Sequence, residues 1–172
     1  MVRALTVLVS GSRNWSDRSI VHSQLTRIAQ TLPKEKGTPL LVHGNCRGLD
    51  LLAASVALEL KWEVSAQPAE WSKLGRRAGP IRNQQMLDEF SPDICLAFPF
   101  STSTGGTVDM IRRMRKYASK APKPVTVTMV LPMWVRNGDP EPSEEASYEI
   151  EEKCYPQERA DIRQAMKRHR AK

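Results

Sequence analysis

The chain has 172 residues, of which 40% are hydrophobic and 26% are charged, and its formal net charge is +7. This length predicts one main folded unit with a core of its own, and no apolar run is long enough to cross a membrane. The three cysteines are widely spaced and match no metal-binding pattern, so we expect no metal, no cofactor and a cytoplasmic location. The positive charge favours anionic ligands, whether nucleotides or nucleic acid, although general solubility explains it equally well.

Five apolar segments of strand length alternate with segments of helical periodicity. The predicted strands are 4–10, 40–44, 62–67, 94–98 and 125–130. The predicted helices run from an N-cap at Ser16 to about Leu32, over 51–60, around 82–90 and over about 108–118. This alternation predicts an α/β fold with a five-stranded, mostly parallel sheet and helices on both of its faces.

Residues 131–172 differ in character from residues 1–130. Several prolines and an acidic run across 139–152 are followed by a basic end. This composition predicts a partly irregular segment, in which Pro156 suits the first turn of a short basic helix reaching about His169. We therefore divide the chain into a domain at 1–130 and a C-terminal extension at 131–172.

Four loops follow the predicted strands at their carboxyl ends: 10–16, 44–50, 67–80 and 98–107. Each contains glycine and clustered polar side chains, whereas the connections at the opposite edge are plain. Because ligands of open α/β sheets bind beyond the carboxyl ends of the strands, these loops predict the position of the site.

The stretch 98–113 indicates which ligand would bind. It runs from an apolar strand through small polar residues and two glycines into an amphipathic helix. The N–H groups in the first turn of a helix have no partner within the helix and attract phosphate or carboxylate. We therefore predict that a phosphorylated, nucleotide-like ligand binds at the start of this helix.

Glycines, arginines and small polar residues of these loops are the candidates for ligand binding. Glycine permits close backbone approach, and arginine holds phosphate through two parallel hydrogen bonds. The candidates are Gly11, Ser12, Arg13, Gly44, Gly48, Arg82, Asn83, Ser103, Thr104, Gly105, Gly106 and Thr107. The alternative roles are ordinary turn glycines, surface arginines and helix caps.

Three acids of the loops are candidates for catalysis or for ribose recognition. Asp50 and Asp109 lie in predicted first helical turns, where the alternative role is to complement the helix dipole. Glu70 is the only glutamate in the four loops, which makes it the candidate general base by residue type. Trp15 and Trp71 could stack on a base or pack against the body of the protein.

Several nucleotide and hydrolase motifs are absent from the sequence. It contains no GxGxxG fingerprint, no GxxxxGK[ST] loop and no GxSxG nucleophile elbow. A phosphorylated ligand would therefore be held by the glycine-rich loop 98–107 rather than by one of those motifs.

Taken together and in order, the loop residues resemble those of the SLOG superfamily, in particular its YspA/YpsA-related branch of bacteria and phages. The matching pieces, across about residues 5–130, are Gly11-Ser-Arg13-x-Trp15, His43-Gly44-x-Cys46-x-Gly48-x-Asp50, Pro68-Ala-x-Trp71, Ala78-Gly-Pro-x-Arg-Asn83, Met86, Pro92-Asp93, Ala97-Phe-Pro99 and Gly105-Gly-Thr107. The resemblance implies a Rossmann-like three-layer sandwich whose loops bind nucleotides or ADP-ribose-type small molecules, often in a homodimer.

Two better understood relatives imply different functions. Lonely Guy phosphoribohydrolases cleave the N-glycosidic bond of nucleoside monophosphates and carry an Arg-x-x-x-Met motif and a Pro-Gly-Gly-x-Gly-Thr-x-x-Glu motif. Residues 82–86 resemble the first, and residues 103–107 resemble the phosphate-binding part of the second. Met110 stands at the position of the catalytic glutamate, with Asp109 one position before it. The DprA recombination mediator uses a similar domain to bind single-stranded DNA.

The leading hypothesis is a sensor or sequestering protein that binds a nucleotide or an ADP-ribose-type ligand at the carboxyl ends of the strands. One alternative is an N-glycosidic hydrolase of nucleoside monophosphates, with Asp109, Asp50 or Glu70 as its acid. The other alternative is a single-stranded nucleic-acid-binding protein. We expect a homo-oligomer, a dimer, with no membrane partner.

Overall fold

A computed structural model describes residues 3–33, 35–101, 104–139, 141–142 and 146–156. Its strands are β1 (Thr6–Gly11), β2 (Leu40–His43), β3 (Glu63–Ala66), β4 (Ile94–Phe98), β5 (Val125–Pro132) and β6 (Tyr148–Tyr155). Its helices are α1 (Arg18–Thr31), α2 (Leu49–Glu59), α3 (Trp71–Leu74), α4 (Ala78–Phe90), α5 (Gly106–Ala118) and α6 (Met133–Asn137), with a 3₁₀ turn at Gly75–Arg77.

The strands form one sheet in the order β3-β2-β1-β4-β5-β6. Each pair from β3 to β5 is parallel, and β6 runs antiparallel to β5. The predicted Rossmann-like α/β class is therefore confirmed. The strand order reverses its direction of growth between β1 and β4, and in open α/β sheets this reversal opens a crevice at the carboxyl edge.

Two apolar cores cover the two faces of the sheet and make it the middle layer of three. On one face, Val7 and Val9 belong to the core that includes Leu25 of α1. On the other face, Leu8 belongs to the core that includes Met114 of α5. Successive residues of β1 alternate between the cores because side chains on a strand alternate in direction. Burial on both faces explains why β1, β2 and β4 are mostly apolar.

The sheet has one strand more than the five that the sequence predicts. Strand β6 pairs with β5 from Tyr148 to Tyr155, so the prediction of irregular structure is wrong for this part of the extension. Its acids lie at the exposed edge, where Glu152 forms an ion pair with Arg27 at 2.7 Å. The strand was not predicted because its sequence is acidic. An edge strand needs only one partner strand and one apolar face, so its other face can carry charged residues. The domain boundary at residue 130 stays a prediction, but β6 belongs to the same sheet.

Three further predictions concern helices. Asp17, not Ser16, is the N-cap of α1, and its Oδ1 accepts a hydrogen bond from the backbone N–H of Ser19 at 3.0 Å. A carboxylate is favoured there because it also complements the positive end of the helix. The predicted basic helix from Pro156 to His169 lies outside the described residues. Among the residues described, no helix is both long enough and apolar enough to cross a membrane.

Candidate functional site

A cavity of about 640 Å³ opens at the carboxyl edge of the sheet, beside the ends of β1 and β4. The strand order reverses at this point, which is where open α/β sheets bind ligands. Residues from all four predicted loops line the cavity. Its volume lies within the range of small-molecule sites.

The first turn of α5 forms one wall of this cavity. Gly105 is the N-cap with a φ of 106°, a conformation that favours glycine, and no side-chain cap is found at this helix start among the described residues. The N–H of Asp109 donates to the carbonyl oxygen of Gly105 at 3.0 Å. The N–H groups of 106–108 therefore have no partner within the helix, which is an arrangement that suits an anion.

Arg82 of α4 reaches the cavity from its other side. Its Nη1 donates to the carbonyl oxygens of Gly44 and Gln67, the latter at 3.0 Å, and its Nε donates to Oδ1 of Asn83 at 3.2 Å. These bonds join the ends of β2 and β3 to α4 and fix the direction of the guanidinium. Within the described part of the chain, Nη2 makes no hydrogen bond, so one nitrogen stays available to a ligand.

Two predicted ligand glycines, Gly44 and Gly48, do not line the cavity. A Cβ on Gly44 would lie 2.3 Å from Nη1 of Arg82. A Cβ on Gly48, whose φ is 76°, would lie 2.4 Å from the backbone oxygen of Arg13. The absence of a side chain at these two positions therefore serves close packing between neighbouring loops. Gly11 does line the cavity, although it too packs closely, against α2.

Asp50 lies in the first turn of α2, lines the cavity and is 4% exposed. Its Oδ2 accepts a hydrogen bond from the backbone N–H of Cys46 at 3.2 Å. Burial raises the pKa of Asp50 from 3.8 to about 6, against the opposing effects of this hydrogen bond and of the Arg82 charge. A carboxyl group with a pKa near neutrality can both give and take a proton, as general acid–base catalysis requires.

Asp109 is the acid that α5 presents to the cavity. Its Oδ2 accepts hydrogen bonds from Nδ2 of Asn83 at 3.1 Å and from Nε of Arg113 at 2.8 Å. The next residue, Met110, is fully buried in the core between α5 and the sheet. One residue corresponds to about 100° around a helix. The position that the resemblance assigns to a catalytic glutamate therefore faces the core, while the neighbouring aspartate faces the cavity.

An indole ring and an arginine lie together at the cavity. Trp71, the first residue of α3, is 48% exposed. The guanidinium of Arg13 lies over its ring, with Cζ 5.7 Å from the ring centroid. Glu70, the predicted general base, does not line the cavity. It is exposed and forms an ion pair with Lys73 at 2.9 Å.

An aromatic cluster supports the cavity loops from behind. Trp15 is buried and packs against Phe98, Phe100 and Tyr148, with ring centroids 5.1, 5.0 and 5.7 Å apart. Phe100 lines the main cavity and also a second cavity of about 240 Å³. Trp134 of α6 packs on Phe100 at 5.2 Å and lines that second cavity. The segment after β5 thus supports the loops that follow β1 and β4.

Most of the predicted site residues meet at the main cavity. Those that line it are Gly11, Ser12, Arg13, Asp50, Arg82, Asn83, Thr104, Gly105, Gly106, Thr107 and Asp109. Ser103 lies outside the described residues. Sequence analysis missed Arg47, Arg76 and Phe100, which also line it. All three lie within the predicted loops, so their positions in the sequence could have identified them as candidates. No cluster of potential metal ligands occurs in the part of the chain that the structure describes.

Comparison with known proteins identifies relatives of this chain. Residues 5–74 match the YAcAr family, described as the YspA, cpYpsA-related SLOG family. The Gene 61 protein of Mycobacterium phage D29 is 36% identical over 124 residues, an alignment that covers 69% of this chain and 92% of that protein. The matched family region includes the loops after β1, β2 and β3, whereas the phage relative aligns over most of its own length.

Proposed function

Because this chain belongs to the YspA, cpYpsA-related SLOG family, we propose that its cavity binds a nucleotide or a nucleotide-derived ligand such as ADP-ribose. The protein then acts as a sensor or as a sequestering protein for that ligand. Family membership implies a nucleotide-related role in binding or in hydrolysis. The observation that carries the proposal is the open start of α5 in the same cavity as an excess of arginines.

The charge balance of the cavity favours a phosphate group. Its cationic lining residues are Arg13, Arg47, Arg76 and Arg82, and its acidic ones are Asp50 and Asp109. The four arginines outnumber the two acids, and Asp109 is already paired with Arg113. The cavity is therefore positively charged, and a phosphate monoester complements both the arginines and the N–H groups of 106–108.

A ligand screen with one matched pair of variants tests this proposal. The protein is unfolded by heat in the presence of the four nucleoside 5′-monophosphates and of ADP-ribose. A binding ligand at about 100 times its Kd adds about 2.7 kcal/mol to the free energy of unfolding. Gly106→Asp should abolish the shift, because it places a carboxylate in the predicted phosphate site. A Cβ at Gly106 meets no atom within 4 Å, so this variant should fold.

The matched control is Gly37→Asp. Gly37 does not line the cavity, and a Cβ there also meets no atom within 4 Å. We expect this variant to keep the full ligand-induced shift. If no nucleotide raises the unfolding temperature of the wild-type protein, the proposed function is wrong.

One observation favours a second candidate function, hydrolysis of an N-glycosidic bond. Asp50 is a buried acid at the cavity with a pKa raised to about 6. In such a reaction water attacks the anomeric carbon and loses a proton, the C–N bond breaks, and the departing base gains a proton. A single carboxyl group titrating near neutrality can take the first proton or supply the second.

Release of free base from nucleoside monophosphates, measured by chromatography, tests this second candidate. Asp50→Asn should abolish release, while Asp88→Asn, at an exposed acid of α4 outside the cavity, should leave it unchanged. Absence of release with every nucleotide that binds would leave binding as the function.

A further inference from the structure

Trp71 is a large apolar side chain that the fold leaves exposed at the cavity. The exposed large apolar side chains of the described residues are Leu51, Leu58, Trp71 and Ile150. Of these, Trp71 lines the cavity. An indole in contact with water offers a broad apolar face, and covering that face with another ring is favourable.

The ring of Trp71 lies against two neighbours, the start of α4 and the Arg13 side chain. Its outer edge lies against the start of α4, where a Cβ added to Gly79 would lie 3.2 Å from Cη2. Glycine at this position therefore permits the approach of the ring. The guanidinium of Arg13 lies over the ring, and the Arg13 side chain makes no hydrogen bond or ion pair within the described residues. A cation stacked on an indole without a carboxylate partner keeps its donors available to a ligand.

Arg13 and Trp71 also lie where the main cavity meets a neighbouring depression of about 490 Å³. Both spaces share Arg13, Cys46, Arg47 and Trp71 as lining residues. The pair comes from the segments after β1 and β3, whereas the phosphate site proposed above comes from the segment after β4. The cavity thus combines an aromatic contact with an anion contact from separate loops, and a nucleotide has both chemistries.

We infer that Trp71 and Arg13 form the subsite for the nucleobase. The base stacks on the exposed part of the Trp71 indole that Arg13 does not cover, with the guanidinium of Arg13 at the edge of the base. This inference rests on the proposed function, because it assigns the part of the ligand that carries no phosphate. Stacking accepts any base, since every base has a π face. The subsite therefore selects for the presence of a base more strongly than for its identity.

Calorimetric titration with two kinds of probe tests the inference. One kind is the set of four nucleoside 5′-monophosphates, and the other is ribose 5-phosphate, which has the same phosphate and sugar but no base. Stacking of one base should make the nucleotides bind about 5- to 150-fold more tightly than ribose 5-phosphate. Trp71→Ala should abolish the difference in affinity between the nucleotides and ribose 5-phosphate, and it should leave the affinity for ribose 5-phosphate unchanged. Trp71→Phe should keep part of this difference in affinity, because a base can still stack on the phenylalanine ring.

Leu58→Ala is the matched control, since Leu58 is 59% exposed and lies outside the cavity. It should change neither affinity. Equal weakening of nucleotides and ribose 5-phosphate in Trp71→Ala would overturn the inference, because it would show a structural role alone. Nucleotides that bind wild-type protein no more tightly than ribose 5-phosphate would overturn it too, while leaving the proposed function intact. If no phosphorylated probe binds, the proposed function and the nucleobase subsite are both wrong.

Discussion

Tyr148 donates its hydroxyl hydrogen to Oδ2 of Asp17 at 2.6 Å, and the two residues are 131 positions apart in the chain. Asp17 caps α1 and follows the loop that carries Arg13. Burial alone would raise the pKa of Asp17, but hydrogen bonds from Tyr148, Ser19 and Ile20 outweigh it and hold the pKa below 3.8. Strand β6 is therefore attached, by a bond to a charged group, to the residue that follows the Arg13 loop.

Tyr148→Phe should lower the free energy of unfolding at neutral pH by about 1–2 kcal/mol, because a hydrogen bond to a carboxylate is lost. The Asp17 contribution is present above the unfolded-state pKa of 3.8 and is lost as the pH falls through the lower folded-state pKa. The difference between variant and wild type should therefore shrink in acid. Urea unfolding of variant and wild type, from neutral pH to below pH 3.8, measures this difference in the free energy of unfolding. Tyr117→Phe, which removes a hydrogen bond to a backbone carbonyl, should show no such trend.

Gly44→Ala should weaken ligand binding although Gly44 does not line the cavity. The new Cβ would lie 2.3 Å from Nη1 of Arg82, and the end of a flexible side chain gives way more easily than backbone does. We expect Gly44→Ala and Arg82→Ala to reduce nucleotide affinity similarly, and the double variant to be little worse than either, because both act on one group. Gly37→Ala is the control. Additive losses in the double variant would contradict this coupling.

Gly48→Ala should destabilise the protein far more than Gly75→Ala. Both glycines have positive φ, 76° and 54° respectively, but a Cβ meets the Arg13 backbone at 2.4 Å only in the first case. The backbone strain of a residue other than glycine costs about 1–3 kcal/mol in each variant, and the backbone clash at Gly48 should add about 2 kcal/mol. Thermal unfolding of the two variants separates the contributions. Equal losses of stability in the two variants would mean that the loop after β1 moves away from the new Cβ without a cost in free energy.

Asp50 should make stability depend on pH in the direction opposite to Asp17. Its pKa is about 6 in the folded protein, against an ordinary value of 3.8, so the folded state binds the proton more tightly. The Asp50 contribution is fully present below pH 3.8 and is lost as the pH rises through about 6. The stability of Asp50→Asn relative to wild type should therefore rise by about 3 kcal/mol from acid to mildly alkaline pH.

Most of the parallel part of the fold could be predicted because β1, β2 and β4 are buried on both faces. Continuous apolar runs such as residues 4–10 record that burial directly in the sequence. Strand β6 could not be found in this way. It pairs with β5, but three of its eight residues are acids and most of its residues are exposed, so backbone pairing overrides their local preference.

The cavity could be predicted as a set of loops, whereas the role of each side chain depends on packing. The sequence predicts Arg82 as a site residue, but not that its guanidinium binds the carbonyl oxygens of two loops. It shows Asp109 and Met110 side by side, but only the position of α5 against the sheet decides which of them is buried. Trp15 and Trp71 are both loop tryptophans in the sequence, and the fold buries one and exposes the other.

The position of β6 in the chain also bears on the order of folding. Residues 6–132 supply the five parallel strands and leave the ribosome before residue 148 does. During synthesis, the early part of the chain can therefore form its parallel sheet while Trp15 and Asp17 still lack Tyr148. Ligand-binding competence should then appear late in translation, after the parallel sheet, since the loop that carries Arg13 gains its contacts with Tyr148 only when β6 is added.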